Sequence, residues 1–202
     1  MTTLLLASNN PGKLVELRAL LAPLHIRLLD PLALHLNLEI EEIADHYAGN
    51  ARLKAVRFAE ASGMWALADD SGLEVDALQG APGPRSARLV GPIGTDHDRR
   101  MHLLSLLRTH PRPWNARFQS VTALANPQGN VDLAQGTCQG EIVPHERGTG
   151  GFGYDPIFLV AGTNQTMAEL DLEEKNRLSH RARAIQKLLP VIRQRLGIQD
   201  PA

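Results

Sequence analysis

Apolar positions in the first part of the chain fall into short runs and one helical repeat. Residues 3–7 and 26–30 are apolar runs typical of buried strands. Between them, Asn10 is a suitable N-cap and Pro11 suits a first helical turn. The positions that follow at helical spacing are Leu14, Leu17 and Leu21. The pattern therefore predicts a strand, a helix and a second strand.

The next segment predicts a longer helix and two more strands. Residues 45–62 have helical periodicity, and Gly63 is a typical helix end. The side chains expected on the inner face are Leu53, Val56 and Ala59. Residues 64–68 read as a strand that leads into the acidic segment 69–72, and residues 73–78 predict another strand.

The remaining elements are a helix, two strands and a last helix. The helix after Asp96 has apolar residues on one face, namely Met101, Leu104 and Leu107. Residues 117–125 and 131–143 predict two strands, and residues 179–196 predict a helix that is kinked at Pro190. Strands that alternate with helices and are followed by further strands predict an α/β fold with a mixed sheet. We expect residues 1–202 to form a single domain.

Composition narrows the class of protein. The chain of 202 residues has 43% hydrophobic and 21% charged residues, which is ordinary for a globular protein. Its net charge of −1 gives no general attraction to nucleic acid. The single cysteine excludes an internal disulfide and suits a reducing compartment. Because no long apolar stretch occurs, we expect a cytoplasmic protein with no membrane segment.

The segment GTGGFGYDPIF, residues 148–158, is rich in glycine. Gly148, Gly150 and Gly153 have the G-x-G-x-x-G spacing of a dinucleotide-binding turn. That motif needs a strand before it and a helix after it, whereas here polar residues precede it and an apolar run with a proline follows. The context does not support a dinucleotide site.

Positive charge occurs at the predicted start of two helices. Lys13 lies in the first turn of one helix, and His180 and Arg181 lie at the start of the last. Cations are unfavourable at this end of the helix dipole, unless an anion binds there. Alternatively, each group of cations simply points into solvent from the surface of its helix. Together they point to a polyphosphate ligand, although the Walker spacing is absent.

Adjacent carboxylates follow the strand at residues 64–68. Asp69 and Asp70 suit a hard cation and a general base, since Mg²⁺ binds one or two carboxylates together with substrate phosphate. The alternative is an Asp-Ser-Gly turn in which both carboxylates cap backbone N–H groups. A second acidic cluster consists of Glu39, Glu41 and Glu42.

Four long segments resemble one family, the inosine and xanthosine triphosphate pyrophosphatases. They are residues 4–17, 66–91, 148–158 and 167–184. The resemblance implies a two-lobed mixed β-sheet with flanking helices and a central nucleotide cleft. It also implies a homodimer, dependence on Mg²⁺, and hydrolysis of ITP, dITP, XTP and dXTP to the monophosphate and pyrophosphate.

The resemblance also implies roles for individual residues. Glu41 and Asp70 would bind the metal, and Asp70 would also accept a proton, with Glu42 and Asp69 as the alternatives. The expected phosphate-binding loop is Ser8, Asn9, Asn10, Pro11, Gly12 and Lys13. The remaining expected substrate contacts are Ser71, Phe152, Gly153, Tyr154, Asp155, Lys175, His180 and Arg181.

One position departs from the family pattern. Gly49 stands where these proteins usually have glutamate, while Asn50 is retained.

Three alternative functions are compatible with the sequence. One is a related pyrophosphatase for modified pyrimidine or 7-methylguanine nucleotides, the second a nucleotide-sensing module without turnover, and the third a dinucleotide oxidoreductase.

Overall fold

The computed structural model describes residues 2–41 and 44–199, which contain six strands and five α-helices. The strands are β1 (Thr3–Leu6), β2 (Arg27–Leu29), β3 (Ala66–Val75), β4 (Trp114–Ala125), β5 (Val131–Ile142) and β6 (Phe158–Val160). The helices are α1 (Pro11–Leu21), α2 (Tyr47–Ser62), α3 (Asp96–Leu107), α4 (Leu172–Leu178) and α5 (His180–Leu196).

All six strands belong to one mixed sheet with the order β2-β1-β3-β4-β5-β6. β1 pairs in parallel with both β2 and β3, whereas β5 and β6 are antiparallel. The predicted α/β class with a mixed sheet and flanking helices is confirmed.

The chain divides into two compact units, and strands β3, β4 and β5 contribute residues to both. Unit 1 comprises Met1–Asp70, Ser120–Gly136 and Arg181–Ala202, and unit 2 comprises Ser71–Gln119 and Thr137–His180. No helix in the described part of the chain is both long and apolar enough to cross a membrane.

Unit 1 has helices on both faces of its part of the sheet. Side chains alternate along a strand, so Leu4 and Leu6 of β1 pack in one cluster and Leu5 in another. The first cluster contains residues of α1 and α5, such as Leu17 and Leu188, and the second contains residues of α2. Unit 2 has its own core, formed by α3 with residues from β3 to β6.

The acidic segment does not form the turn that the sequence suggests. β3 continues through Asp69, Asp70, Ser71 and Gly72 as a strand of ten residues, which replaces the two predicted strands and the turn between them. Burial favours the extended strand, because residues on both sides of the aspartates pack in hydrophobic clusters. The turn-capping role for these carboxylates is therefore wrong.

The faces of two helices also differ from the prediction. In α2 the inner face is formed by Ala51, Ala55, Phe58 and Ala59, while Leu53 and Val56 are only half-buried. In α3 the buried apolar residues are Leu103, Leu104 and Leu107, and Met101 is exposed. In both helices some apolar side chains lie at the edge of the buried face, and apolar spacing alone does not show where that edge falls.

The last helical region consists of two helices rather than one. α4 ends at Leu178 and is followed by Ser179, whose backbone is extended. α5 begins at His180, within one residue of the predicted start. α5 runs through Pro190, and Gly197 adopts the left-handed conformation just after its end. Asp171 and Glu174 form a capping box at the start of α4, a signal present in the sequence that the periodicity did not reveal.

Candidate active site

The loop between β1 and α1 lies where the pairing of β1 with β3 stops. That pairing ends at Leu6 and Leu67, two residues before Asp69. Asn10 caps α1 as predicted, because its Oδ1 accepts from the backbone N of Lys13 at 3.0 Å. The Ser8 Oγ accepts from the Asn10 N–H at 3.2 Å, so local hydrogen bonds fix the predicted phosphate loop.

Lys13 reaches Asp69 on β3. Its Nζ lies 2.9 Å from Asp69 Oδ2 and donates to the Asp69 backbone oxygen at 3.1 Å. Burial lowers the pKa of Lys13, and the Asp69 carboxylate only partly offsets this effect. The alternative that Lys13 points into water is therefore wrong.

Asp69 is the counter-ion of two buried cations. Besides Lys13, it accepts from Arg181 Nη2 at 3.0 Å and from Ser120 Oγ at 2.5 Å. Burial alone would raise the pKa of Asp69, but Arg181 and Lys13 outweigh it and hold that pKa well below its usual range. Arg181 is 1% exposed and also donates to Glu16 of α1, so it is not part of a solvated face.

Asp70 faces a different set of partners. Lys54 Nζ donates to Asp70 Oδ1 at 2.8 Å, and Asn50 Nδ2 donates to Oδ2 at 3.3 Å. Lys54 also donates to the backbone oxygen of Asp69 at 3.1 Å. Asn50 and Lys54 are one helical turn apart on α2, so they present two donors to the same carboxylate. Lys54 belongs to this cluster although no sequence motif indicates it.

Gly49, the position that departs from the family pattern, packs against the N-cap residue of α2. His46 Nδ1 accepts from the Gly49 N–H at 2.9 Å. A Cβ atom on Gly49 would lie 2.7 Å from His46 Cε1 and 2.7 Å from Ala44 Cβ. A glutamate at this position would therefore require the 44–46 segment to move.

The acidic cluster before α2 gives no ready-made metal site. Glu41 is exposed and borders a surface depression with Glu39 and Glu60, and Glu42 lies outside the described residues. Among residues 2–41 and 44–199, no group of three His, Cys, Asp or Glu side chains is arranged to hold a metal ion.

In unit 2, Asp155 organises the glycine-rich segment. Its Oδ2 accepts from the Phe152 N–H at 2.9 Å and from Lys175 Nζ at 2.5 Å. Lys175 Nζ also lies 5.2 Å from the centre of the Phe152 ring. Gly151 has a φ of +70°, and a side chain there would collide with the Asp155 carboxylate. A short helical turn, Asp155–Ile157, and then β6 follow, so the dinucleotide motif is excluded.

The two aromatic residues of this segment differ in exposure. Tyr154 is 4% exposed and donates its hydroxyl to the Ser86 backbone oxygen at 2.8 Å. Burial raises the pKa of Tyr154. Phe152 is only half-buried, and of the two it is the ring that a ligand can reach.

His180 is buried at the start of α5 with its ring against Phe118 of β4. The two rings are 4.7 Å apart and inclined by 14°, so they are stacked. Phe118 also contacts Phe158 at 4.6 Å. Stacking fixes the plane of the imidazole and leaves its edge to make polar contacts. Phe118 has this contact although no sequence motif indicates it.

The other expected substrate residues have simple placements. Ser71 follows Asp70 on β3 and is half-buried, Asn9 is exposed in the loop before α1, and Pro11 and Gly12 form the first turn of α1.

Comparisons with known proteins agree with the sequence motifs. A model of the Ham1 family matches residues 4–191. A dITP/XTP pyrophosphatase of Desulforamulus reducens is 46% identical over 190 residues, which are 94% of this chain and 94% of the relative. A protein of the same name from Thermus thermophilus is 47% identical over 185 residues, or 91% of this chain and 88% of the relative.

A solved structure agrees as well. A HAM1 protein from Coxiella burnetii has a TM-score of 0.86 with this chain at 39% identity, and the match covers 96% of this chain and 100% of that one. The family match includes all four segments that carry the resemblance, which is thereby confirmed. The chain belongs to the Ham1 family.

Proposed function

We propose that this chain hydrolyses purine nucleoside triphosphates that carry hypoxanthine or xanthine, releasing the monophosphate and pyrophosphate. The observation that carries the proposal is the cluster in unit 1, where Lys13 and Lys54 both donate to the backbone oxygen of Asp69 beside the Asp70 carboxylate. The names of the relatives point to the same reaction, since those proteins are called dITP/XTP pyrophosphatases.

In this proposal the triphosphate binds at the start of α1. The first turn of a helix offers free backbone N–H groups and a positive dipole, both of which favour phosphate. Lys13 and Lys54 add two ammonium groups, and their present partners hold them within reach of Asp69 and Asp70. Charge-assisted bonds to the leaving pyrophosphate would stabilise the charge that develops on it.

Asp70, rather than Asp69, is the residue that we assign as general base. Asp69 neutralises two cations, Arg181 and Lys13, and also accepts from Ser120. Asp70 pairs with one cation, Lys54, and its pairing is therefore the easier of the two to exchange. Asp70 would take a proton from a water molecule as the water oxygen bonds to the α-phosphorus. The bond from that phosphorus to the bridging oxygen breaks, and pyrophosphate leaves.

We infer that Mg²⁺ is the cofactor, with Asp70 and Glu41 as the protein ligands. Both supply hard carboxylate oxygen, and Mg²⁺ usually binds only one or two carboxylates, with water and substrate phosphate as its other ligands. A built cluster of three acidic residues is therefore not required. When bound, the ion would neutralise phosphate charge and lower the pKa of a bound water.

We assign the base to the segment around Phe152, with His180 as a further donor. The half-buried Phe152 ring offers a stacking face, and Lys175 and Asp155 hold it in position. Hypoxanthine and xanthine have a keto acceptor where adenine has an amino donor, so a donor at this position leaves adenine unpaired. Such mismatches discriminate by about 10⁴–10⁵ where a site is built for the hydrogen bond.

We also propose a homodimer and a cytoplasmic location. The dimer depends on the family resemblance, and the location is supported by the single cysteine, which suits a reducing compartment.

A substrate panel tests the proposed function. Initial rates are measured on the natural triphosphates, on ITP and XTP, and on modified pyrimidine and 7-methylguanine nucleotides, with and without Mg²⁺. We expect ITP and XTP to have the highest kcat/KM and to need the metal. In ¹⁸O-labelled water, the label should enter the monophosphate. Label in pyrophosphate, or release of orthophosphate, would overturn the proposed reaction, and no turnover at all would favour a nucleotide sensor.

A further inference from the structure

Both polar atoms of the Gly153 backbone are held by side chains from α3. Asp96 Oδ2 accepts from the Gly153 N–H at 2.7 Å, and Arg100 Nη1 donates to the Gly153 oxygen at 2.7 Å. Gly153 has a φ of +62°, so the chain reverses direction locally between Phe152 and Tyr154. Asp96 and Arg100 are one turn apart on α3, which places both groups on the same side of the helix.

Asp96 and Arg100, which together form a clamp on Gly153, each have a further ionic partner. Asp96 Oδ1 accepts from Arg99 Nη1 at 2.6 Å, and Arg100 Nε donates to Glu146 Oε1 at 2.7 Å. The two side chains differ in exposure, since that of Arg100 is 12% exposed and that of Asp96 is 44% exposed. The Arg100 guanidinium bridges Glu146 and the Gly153 oxygen, so charge-assisted hydrogen bonds connect α3 with the glycine-rich segment.

Backbone groups on both sides of Phe152 along the chain are held by side chains. The Phe152 N–H is held by Asp155, and the next peptide, at Gly153, is held by Asp96 and Arg100. Tyr154 then ties the chain to Ser86. With both neighbouring peptides fixed, the Phe152 ring has little freedom to follow ligands of different shape. Misplacement of a contact group by 1 Å can cost about 100-fold in rate.

We propose that Asp96 and Arg100 are positioning residues for base selection, through the backbone of Gly153. This inference rests on the proposed function, in which the Phe152 segment binds the purine. Neither residue needs to touch substrate. Their role is to hold the segment in the one arrangement in which the base can stack on Phe152 and meet its hydrogen-bond donors.

The test compares Asp96→Ala with Asp96→Asn. The alanine variant removes the acceptor for the Gly153 N–H, whereas asparagine retains an oxygen at the same place. We expect Asp96→Ala to lower the ITP/ATP ratio of kcat/KM by about 10- to 100-fold, and Asp96→Asn to restore most of that ratio. Arg100→Met should act like Asp96→Ala, since it leaves the Gly153 oxygen without this donor.

A second measurement separates positioning from general damage. Inorganic tripolyphosphate has no base, so its inhibition constant reports on the phosphate site alone. We expect this constant to stay within about twofold of the wild-type value, because none of the contacts described for Lys13 and Lys54 involves α3. The matched control is Asp98→Ala, which removes the carboxylate that accepts from the Thr95 N–H and Oγ1 in the α3 capping box, and Asp98 has no described bond to Gly153. It should lower the Tm and leave the ITP/ATP ratio unchanged.

Three results would overturn the inference: an unchanged ITP/ATP ratio in Asp96→Ala, an equal weakening of tripolyphosphate, or the same loss of ratio in Asp98→Ala. Failure of the proposed function looks different, because the wild-type protein itself would then show no preference for ITP over ATP.

Discussion

Lys13 and Lys54 come from two different helices and donate to the same backbone oxygen, that of Asp69, each at 3.1 Å. Two ammonium groups repel each other, so their convergence on one carbonyl requires the negative charges beside it. Asp69 and Asp70 supply those charges, one for each lysine. In the proposed function, the triphosphate would bind beside these two ammonium groups, whose positions are already set by the aspartates.

The first prediction concerns these two lysines. Lys13→Ala and Lys54→Ala should each weaken binding of a non-hydrolysable ITP analogue by about 10- to 100-fold, since each loses a charge-assisted contact. Binding of IMP should change much less. Isothermal titration measures both ligands, and Lys187→Ala is the control because Lys187 is exposed and bonds only to the Gln135 oxygen among the contacts described. Equal losses for the analogue and for IMP would contradict the assignment.

Asp70→Asn is expected to lower kcat for ITP by at least about 10²–10⁴, which is typical for loss of a general base. Asparagine keeps the shape and can still pair with Asn50, so the fold should remain. Steady-state kinetics with a thermal unfolding control measure both effects. A kcat within tenfold of wild type would exclude Asp70 as the base.

Asp69→Asn should act mainly on stability. It leaves Arg181 and Lys13 without their shared counter-ion, and breaking a buried ion pair costs about 3–5 kcal/mol in the free energy of unfolding. Urea unfolding at neutral pH measures this loss.

The difference in the free energy of unfolding between wild type and Asp69→Asn should depend on pH, and the pKa of Asp69 determines how. Because the native pKa is well below the ordinary value of about 3.9, the stabilisation is fully present above that value. It is lost progressively as the pH falls from that value to the lower native pKa. The difference between wild type and Asp69→Asn should thus stay constant from neutral pH to about pH 5 and shrink below about pH 4. A difference that already shrinks between pH 8 and pH 6 would contradict this.

Variants of Phe152 and Tyr154 should have different effects on KM and on stability. Phe152→Ala should raise KM for ITP by about 10- to 100-fold, because base stacking contributes about 1–3 kcal/mol. Tyr154→Phe should leave KM unchanged and lower the free energy of unfolding by about 1 kcal/mol, since only the bond to the Ser86 oxygen is lost. The reverse pattern would mean that Tyr154 is the residue that carries the base.

The sequence predicts the elements of unit 1 well because their signals are local. Asn10, Pro11 and Gly63 mark helix ends through their own backbone chemistry, and the structure has those ends where they are predicted. The segment after Leu67 was misjudged for the opposite reason. Aspartate, serine and glycine favour turns in isolation, but the packing of β3 overrides that preference.

The site was only partly predictable for a related reason. Lys54 is one of several cations on α2, and its link to Asp70 is a contact between residues 16 positions apart that no motif encodes. An i, i+4 spacing from Asn50 was the one available signal. Phe152 and Tyr154 look equivalent in the sequence, and only burial separates them. Asp96 and Arg100 act through a backbone that lies more than 50 residues away.

The packing of His46 against Gly49 limits the order in which substitutions at these two positions can be accepted. Because a Cβ on residue 49 would lie 2.7 Å from the His46 ring, introducing the glutamate usual in the family is obstructed while the imidazole caps α2. A smaller cap such as serine at position 46 removes the ring but leaves Ala44 close by. The two positions are thus epistatic, and the order of substitutions matters. If His46→Ser comes first, only the close contact with Ala44 opposes a glutamate at position 49. If Gly49→Glu comes first, it clashes with both Ala44 and the His46 ring, beside Asn50 and the carboxylate that Asn50 holds.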